Sequence, residues 1–298
     1  MITKTSIHAL IKLMGDTDPM VVAHARTKLL EYGDQIIPDL EVLADDCYFK
    51  EEQLHIVTDV LNTLKFSKVK KGLIAWLNTD QKSLLEALFL VCSYQFPDLD
   101  KHEFEQQFMS IRRQCWLKTN TKQTSFEKIS ALNSVFFDDL NFSLANSSTC
   151  TPFDLLVNAV LDTREGRGIS LGLIYSVVAQ SLDIPLYGVT SLNMRVPFVL
   201  AYLDQSNLLS ILNWGVHNNG VLFYVDMSLK GMIVEPQYLK EAFVKDGLPH
   251  NKGQFEPSSN SLIIKRYLTE LRIAYENQIN FRYKLNDIDE LLEIFKAV

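Results

Sequence analysis

Few side chains in this sequence combine the type and the setting needed to attack a bond or carry a proton. The stretch Arg164–Pro185, REGRGISLGLIYSVVAQSLDIP, offers the clearest setting. Gly166 and Gly168 precede Ser170, and from Leu171 to Leu182 only Gly172, Ser176, Gln180 and Ser181 interrupt an apolar run. A helix apolar on nearly all sides has no face for water and belongs at the centre of a domain. Its N-terminus emerges from a glycine-loosened loop with partial positive charge, a position that lowers the pKa of a thiol. The sequence puts no sulfur there. Ser170 reads as the N-cap, accepting a bond from an unpaired N–H of the first turn. Its hydroxyl is then engaged and, without a base, a poor nucleophile. Asp183 and Pro185 end the helix.

Other candidates are scattered. Cys47, Cys92, Cys115 and Cys150 form no CxxC pair, so neither a zinc site nor a disulfide framework is expected, and no metal or other cofactor is implied. Cys92 and Cys115 have apolar neighbours and read as buried small hydrophobes. Cys150, in a loop before a helix, reads as accessible. Asp226 precedes Met-Ser-Leu-Lys-Gly, and an Asp opening a turn bonds the backbone two residues on. His217 falls on a hairpin tip, His217-Asn218-Asn219-Gly220, where Asn-Gly supplies positive φ angles. Gly166, Gly168 and Gly172 give GxGxxxG after a helix, not the strand that a dinucleotide loop requires. The acidic pairs Asp45-Asp46 and Glu51-Glu52 flank helical turns and read as solvated.

The elements that position these groups change character along the chain. Residues 1–95 read as helices only. Ile7, Leu10, Ile11 and Met14 recur at helical spacing. Asp18 caps a second helix with Pro19 at its first position and Gly33 beyond its end. Helices follow over 36–43, 51–64, 70–77 and 81–94, with the basic stretch Lys65–Lys71 as a solvated loop. Short helices joined by Asp, Gly or Pro turns suggest a HEAT-like array that presents a surface. Helices over 102–117, 125–137 and 153–161 lead to the central stretch. After Pro185, strands are predicted over 186–189, 197–203, 208–216 and 221–225. A short helix follows over 235–243, then a loop, then helices over 262–277 and 288–296. The fold class is α+β, with a helical front over 1–95, a core over 96–250 and a helical hairpin over 251–298.

Composition excludes some functions. The 298 residues are 47% apolar and 22% charged, enough to bury a sizeable core. A net charge of −7 argues against a nucleic-acid surface. No apolar stretch approaches the roughly 20 residues that cross a bilayer, and the N-terminus has no signal-peptide pattern. The expected setting is a reduced cytoplasm, without membrane or nucleic-acid partners.

Several motifs in order resemble the SirB-type transglutaminase-like family, in a bacterial branch with a helical front and tail. They are DTDPMVVAHARTKLLEYGDQIIPDLE at 16–41, YQFPDLD at 94–100, LNSVFF at 132–137, VNAVLDTREGRGISLGLIYSVVAQSLDIPLYGV at 157–189, PFVLAYLD at 197–204, VLFYVDMSLKG at 221–231 and SLIIKRYLTELRIAYE at 261–276. The resemblance implies a core similar to transglutaminases and papain. There a Cys at the N-terminus of the central helix attacks, a His on the next strand is its base, and an Asp on the strand after orients that His. Carried over, the Cys position falls on Gly168, the His position on Pro197, and only the Asp is kept, as Asp226. Many members have Pro at the first of these positions, and this chain carries a few extra residues, SLNMRV, before Pro197. The candidate cleft is then Arg164, Ser170 and Asp226, the last a relict orienter or a turn-former.

Three functions stay open at this point. The first is a non-catalytic protein that binds or scaffolds an unknown protein or small molecule. The second is a hydrolase or transferase with a displaced nucleophile, Cys150 or Ser170, served by His217, His250 or His102. The third is a structural partner whose cleft is filled by Met194, Phe198 and their neighbours.

Overall fold

The computed structural model describes residues 4–44, 51–146, 149–189, 198–203, 220–245, 255–278, 282 and 284–296. The expected strand over 208–216, the turn at His217–Asn219, Pro197, Met194, His250, Cys47 and Asp45-Asp46 lie outside these residues. Two compact units are present, one of residues 1–75 with 93–97, the other of 76–92 with 98–298.

The first unit is helical. It contains α1 (Lys4–Leu13), α2 (Pro19–Tyr32), a 3-10 turn (Gly33–Ile36), α3 (Ile37–Ala44) and most of α4 (Glu51–Leu77). Asp18 caps α2 by accepting the Met20 N–H at 2.8 Å, with Pro19 in the first turn where its missing N–H does no harm. Ile7, Ile11, Leu29, Leu40 and Val60 are fully buried in one cluster. The two helices expected over 51–64 and 70–77 are one, α4, and the basic stretch between them is helical rather than a loop. Neither Gly nor Pro occurs between Leu64 and Lys71, and Val69 is buried. Lys65 pairs with Glu41 at 2.8 Å, so the charges are accommodated on the helix surface.

The second unit is built on α9 (Gly168–Gln180), buried along most of its length. The same unit holds most of α5 (Leu84–Gln95), then α6 (Lys101–Lys118), α7 (Ser125–Asn133), α8 (Val157–Thr163), α10 (Pro236–Lys245), α11 (Asn260–Glu276) and α12 (Leu285–Glu293). Thr124 and Glu127 form the capping box of α7, each accepting or donating across the first turn. The helix expected to continue to Phe137 widens into a π-turn at Ser134–Asp139. This turn carries Phe136 into a stack on Phe142, 4.1 Å between ring centres, and edge-on to Tyr175 of α9. The helix expected over 153–161 divides into a 3-10 turn (Pro152–Asp154) and α8.

One antiparallel sheet of order β3-β4-β5-β6 covers α9, from Leu186–Val189, Val199–Leu203, Val221–Asp226 and Met232–Val234. Val199 stands opposite Asp226 and Leu186 opposite Tyr202. The short β1 (Ser143–Leu144) and β2 (Glu165–Gly166) pair in parallel and were not expected. Two residues apiece are too few to show a period. Phe198 packs flat on α9 where Gly172 has no side chain; a Cβ there would meet the Phe198 ring at 2.7 Å. Among the described residues no helix is long and apolar enough to cross a membrane.

Hydroxyls hold the frame together from inside. Tyr267 of α11 donates to the Leu155 carbonyl at 2.9 Å and accepts the Val157 N–H at 3.3 Å. Tyr175 of α9 donates to Asn133 at 2.8 Å, and Asn133 donates to the Gly231 carbonyl at 2.8 Å. Gly231 has φ +73°, and a Cβ there would lie 2.1 Å from the Asn133 oxygen. Replacement of Gly231 by Ala therefore strains the backbone and expels the Asn133 amide. Urea titration should show a loss of about 2 kcal/mol or more for Gly231→Ala. Tyr267→Phe, which leaves a buried N–H and a buried carbonyl short of a partner, should lose about 1–3 kcal/mol in the same measurement.

Candidate functional site

The first turn of α9 begins one residue after Arg167, whose extended backbone (φ −81°, ψ 158°) makes it the N-cap. Ser170 is therefore not the N-cap expected from the sequence. It lies inside the first turn, fully buried, and its hydroxyl donates to the Leu155 carbonyl at 2.6 Å. Burial decides this: a hydroxyl without access to water takes the nearest carbonyl, and Leu155 offers one. Ser170 is thus held away from any substrate. The glycine before it is not loose either. Gly166 pairs in β2, and a Cβ on it would meet Val160 at 2.7 Å.

Gly168 differs from these close-packed glycines. Among the described residues no atom comes within 4 Å of a Cβ built on it. It is the first residue of a 13-residue helix, where unpaired N–H groups and the macrodipole concentrate positive potential. Among the described residues nothing blocks a side chain here, and one would sit in a field suited to an anion. The sequence supplies a hydrogen atom.

Asp226 ends β5 and is fully buried. Its Oδ1 accepts the Ser228 N–H at 2.8 Å and the Ser228 hydroxyl at 2.5 Å, the turn geometry expected of an Asp in this context. Its Oδ2 is buried and has no hydrogen-bond partner among the described residues. Met227, the next residue, lies against Gly172, its Cγ 3.3 Å from where a Cβ would be. Gly168 and Gly172 are four apart and share a face of α9. The Asp226 turn and the start of α9 are thus parts of one packed corner. The position between them in the strand order, Pro197, lies outside the described residues.

Arg164 has a structural contact of its own. It ends α8 in the left-handed conformation (φ 64°), and its guanidinium lies over the Phe142 ring, 4.8 Å from the centre. Burial pulls its pKa down from the ordinary guanidinium value, against the attraction of Asp162. It belongs to the Phe136–Phe142 stack.

Arg167 carries a role that the sequence reading missed. Its N–H donates to the Asp154 carbonyl at 2.9 Å, and its guanidinium lies 3.9 Å from the Asp154 carboxylate. The Asp154 side chain also accepts the Thr151 N–H at 2.8 Å. The same guanidinium reaches the Cys150 thiol and acts on the Glu270 carboxyl, which Arg266 binds at 2.8 Å. Burial pushes the Cys150 thiol up, and Arg167 only partly opposes it. Burial likewise raises Glu270 against the pull of Arg266 and Arg167. The Thr-Pro-Phe-Asp box at 151–154 was the available signal, because it fixes the chain that faces the α9 N-terminus. Cys92 and Cys115 are buried as expected, each pushed up to about 12 by burial. His102, on the first turn of α6, is exposed; His217 and His250 fall outside the described residues.

These fields give a direct chemical test. A thiol placed by Gly168→Cys meets no clash among the described residues and sits at the helix N-terminus beside Arg167. Site-resolved alkylation against pH should show it reacting with a midpoint below the ordinary thiol value of about 8.5. Cys150, protonated to higher pH by burial, should react only above that value. A midpoint for the introduced thiol at or above that of Cys150 would contradict the electrostatics described.

A profile of the transglutaminase-like superfamily matches residues 102–269, more than half of the chain. UPF0162 proteins of Xylella fastidiosa, strains Temecula1 and 9a5c, are each similar at 28% identity over 119 residues, 39% of this chain. The match spans only 42% of the length of those relatives. A UPF0162 protein of Buchnera aphidicola is 23% identical over 215 residues, 71% of this chain and 74% of that protein. No solved structure matches the chain. The matched segment runs from α6 through α11 and so takes in the α9 corner, the sheet and the buried Tyr267: this chain belongs to the transglutaminase-like superfamily.

Proposed function

We propose that this protein is a non-catalytic member of the superfamily, of the SirB-type branch, which acts by binding or scaffolding. The observation that carries the reading is Gly168. Attack on an acyl carbon needs a nucleophile, a proton acceptor and an orienter within reach of one another. The first turn of α9 offers a glycine where the first of these belongs, with room for a side chain that the sequence does not provide. Pro197 has no group that accepts a proton. Asp226 keeps one carboxylate oxygen in a turn that needs it for structural reasons. On this reading Gly168, Pro197 and Asp226 are the relict triad positions. The helical first unit, read as HEAT-like, presents a surface to an unknown protein or small molecule in the cytoplasm, without a cofactor.

A displaced nucleophile is favoured by one feature alone, the approach of Arg167 to Cys150. The net shift of that thiol is upward, which keeps it protonated at neutral pH and works against attack. Ser170 is engaged with Leu155. The non-catalytic reading therefore stands first.

Purified protein should give no turnover above background on peptide, ester or glutamine-donor substrates at any pH between about 6 and 9, the range spanned by imidazole and thiol titration. Asp226→Asn and Cys150→Ser should leave that background unchanged. Turnover that falls with either substitution would refute the proposal and identify the residue that carries the chemistry.

A further inference from the structure

At the other end of α9 lies a surface pocket of about 290 Å³. The superfamily's reactive corner is at the N-terminus of the helix, whereas this pocket gathers around Ser181 and Leu182 beyond its C-terminus, together with α6 and the segment before α7. Its volume falls at the small end of ligand sites, roughly 300 Å³ and up.

The α6 sequence explains why the pocket has the chemistry it does. Phe104, Phe108, Ile111 and Cys115 recur every three or four residues and are buried. They complete the core face of the helix. Trp116 and Leu117 fall just past that face and remain 61% and 72% exposed. The core needs neither. A tryptophan left in water at a pocket wall exposes apolar area that a ligand could cover.

Two cations stand beside it. Arg112, one turn before Trp116 on α6, donates through Nε to the Ser181 carbonyl at 3.1 Å. That bond fixes the guanidinium and leaves its two Nη groups for the oxygens of a carboxylate or phosphate. Lys128 of α7 lines the same pocket. Among the described residues no carboxylate pairs with Arg112 or Lys128. Two cations thus line one pocket of a chain whose net charge is −7. Asp183, exposed and held at φ 57°, lines the same pocket and supplies an acceptor.

We propose that this pocket is a binding site for a small ligand that joins a phosphate or carboxylate to a flat ring bearing a hydrogen-bond donor. The oxyanion would take Arg112 and Lys128, the ring would lie on Trp116, and the donor would reach Asp183. Phosphate and carboxylate share the oxyanion chemistry that these cations recognise. The two sources are separated by probe.

Calorimetric titration of the full chain with adenosine monophosphate and with 4-aminobenzoate tests the site, with adenosine as the probe that lacks the oxyanion. Saturable binding of one or both anionic probes is expected, with adenosine binding at least about tenfold more weakly, the size of a charge-assisted hydrogen bond. Binding of the nucleotide alone assigns a phosphate ligand, and binding of the benzoate alone a carboxylate. Lys128→Gln and Trp116→Ala alter side chains that the core does not use, and each should weaken the bound probe by about tenfold. The proposal is overturned if neither anionic probe binds, if adenosine binds as well as the nucleotide, or if both variants bind like the parent chain.

Discussion

One carbonyl oxygen organises the second unit. Leu155 ends a 3-10 turn, and its carbonyl receives two hydroxyls from different directions, Ser170 of α9 at 2.6 Å and Tyr267 of α11 at 2.9 Å. The Tyr267 oxygen in turn takes the Val157 N–H, one of the unpaired donors at the start of α8. All four residues are buried. Without water to fill in, each group depends on the others, and loss of any one leaves a partner unsatisfied at the full desolvation cost. The start of α8, the first turn of α9 and the middle of α11 are therefore fixed to one point. Burial also holds the Tyr267 hydroxyl well above its ordinary pKa, so it remains a donor throughout the physiological range.

This node explains what the sequence made legible and what it hid. The apolar run from Leu171 marks a helix with water on no side, and α9 is buried as that pattern requires. Asp18, Pro19 and Gly33 bound α2, and Thr124 with Glu127 starts α7, because caps are local and their partners lie within three residues. A local rule starts α9 three residues late, because Ser170 has the right type for an N-cap while Arg167 fills that position. The partner of Ser170, Leu155, is fifteen residues away and invisible to a local rule. The π-turn at Ser134–Asp139 was likewise beyond local reading. It exists to bring Phe136 onto Phe142 and Tyr175, contacts that only the folded chain defines.

The candidate site divides in the same way. Gly168 and Asp226 could be named from motif order, and Asp226 could be given its turn from the Asp-x-Ser pattern alone. The access around Gly168 could not be read, since Gly166, Gly172 and Gly231 look the same in sequence and are close-packed. Space is a property of neighbours. The Arg167–Asp154–Cys150 grouping was missed for a related reason: the residues are spread over 150–167, and only the 3-10 turn and β2 fold that segment back on itself. Arg164 was assigned to the cleft from its place in the motif, yet the aromatic stack claims its guanidinium.

The corner where the Asp226 turn meets α9 is held by bonds of its own. The Asp226 turn is closed by its own Ser228 and by the Gly231 N–H, which donates to the Asp226 carbonyl at 2.9 Å. Asn133 ties the Gly231 carbonyl to α7, and Tyr175 ties Asn133 to α9. None of these bonds passes through a histidine or a thiol. On the other side, the Leu155 carbonyl fixes the first turn of α9 through Ser170 and leaves Gly168 outside the network. Among the described residues the corner therefore rests on the Asp226 turn and needs no side chain at position 168.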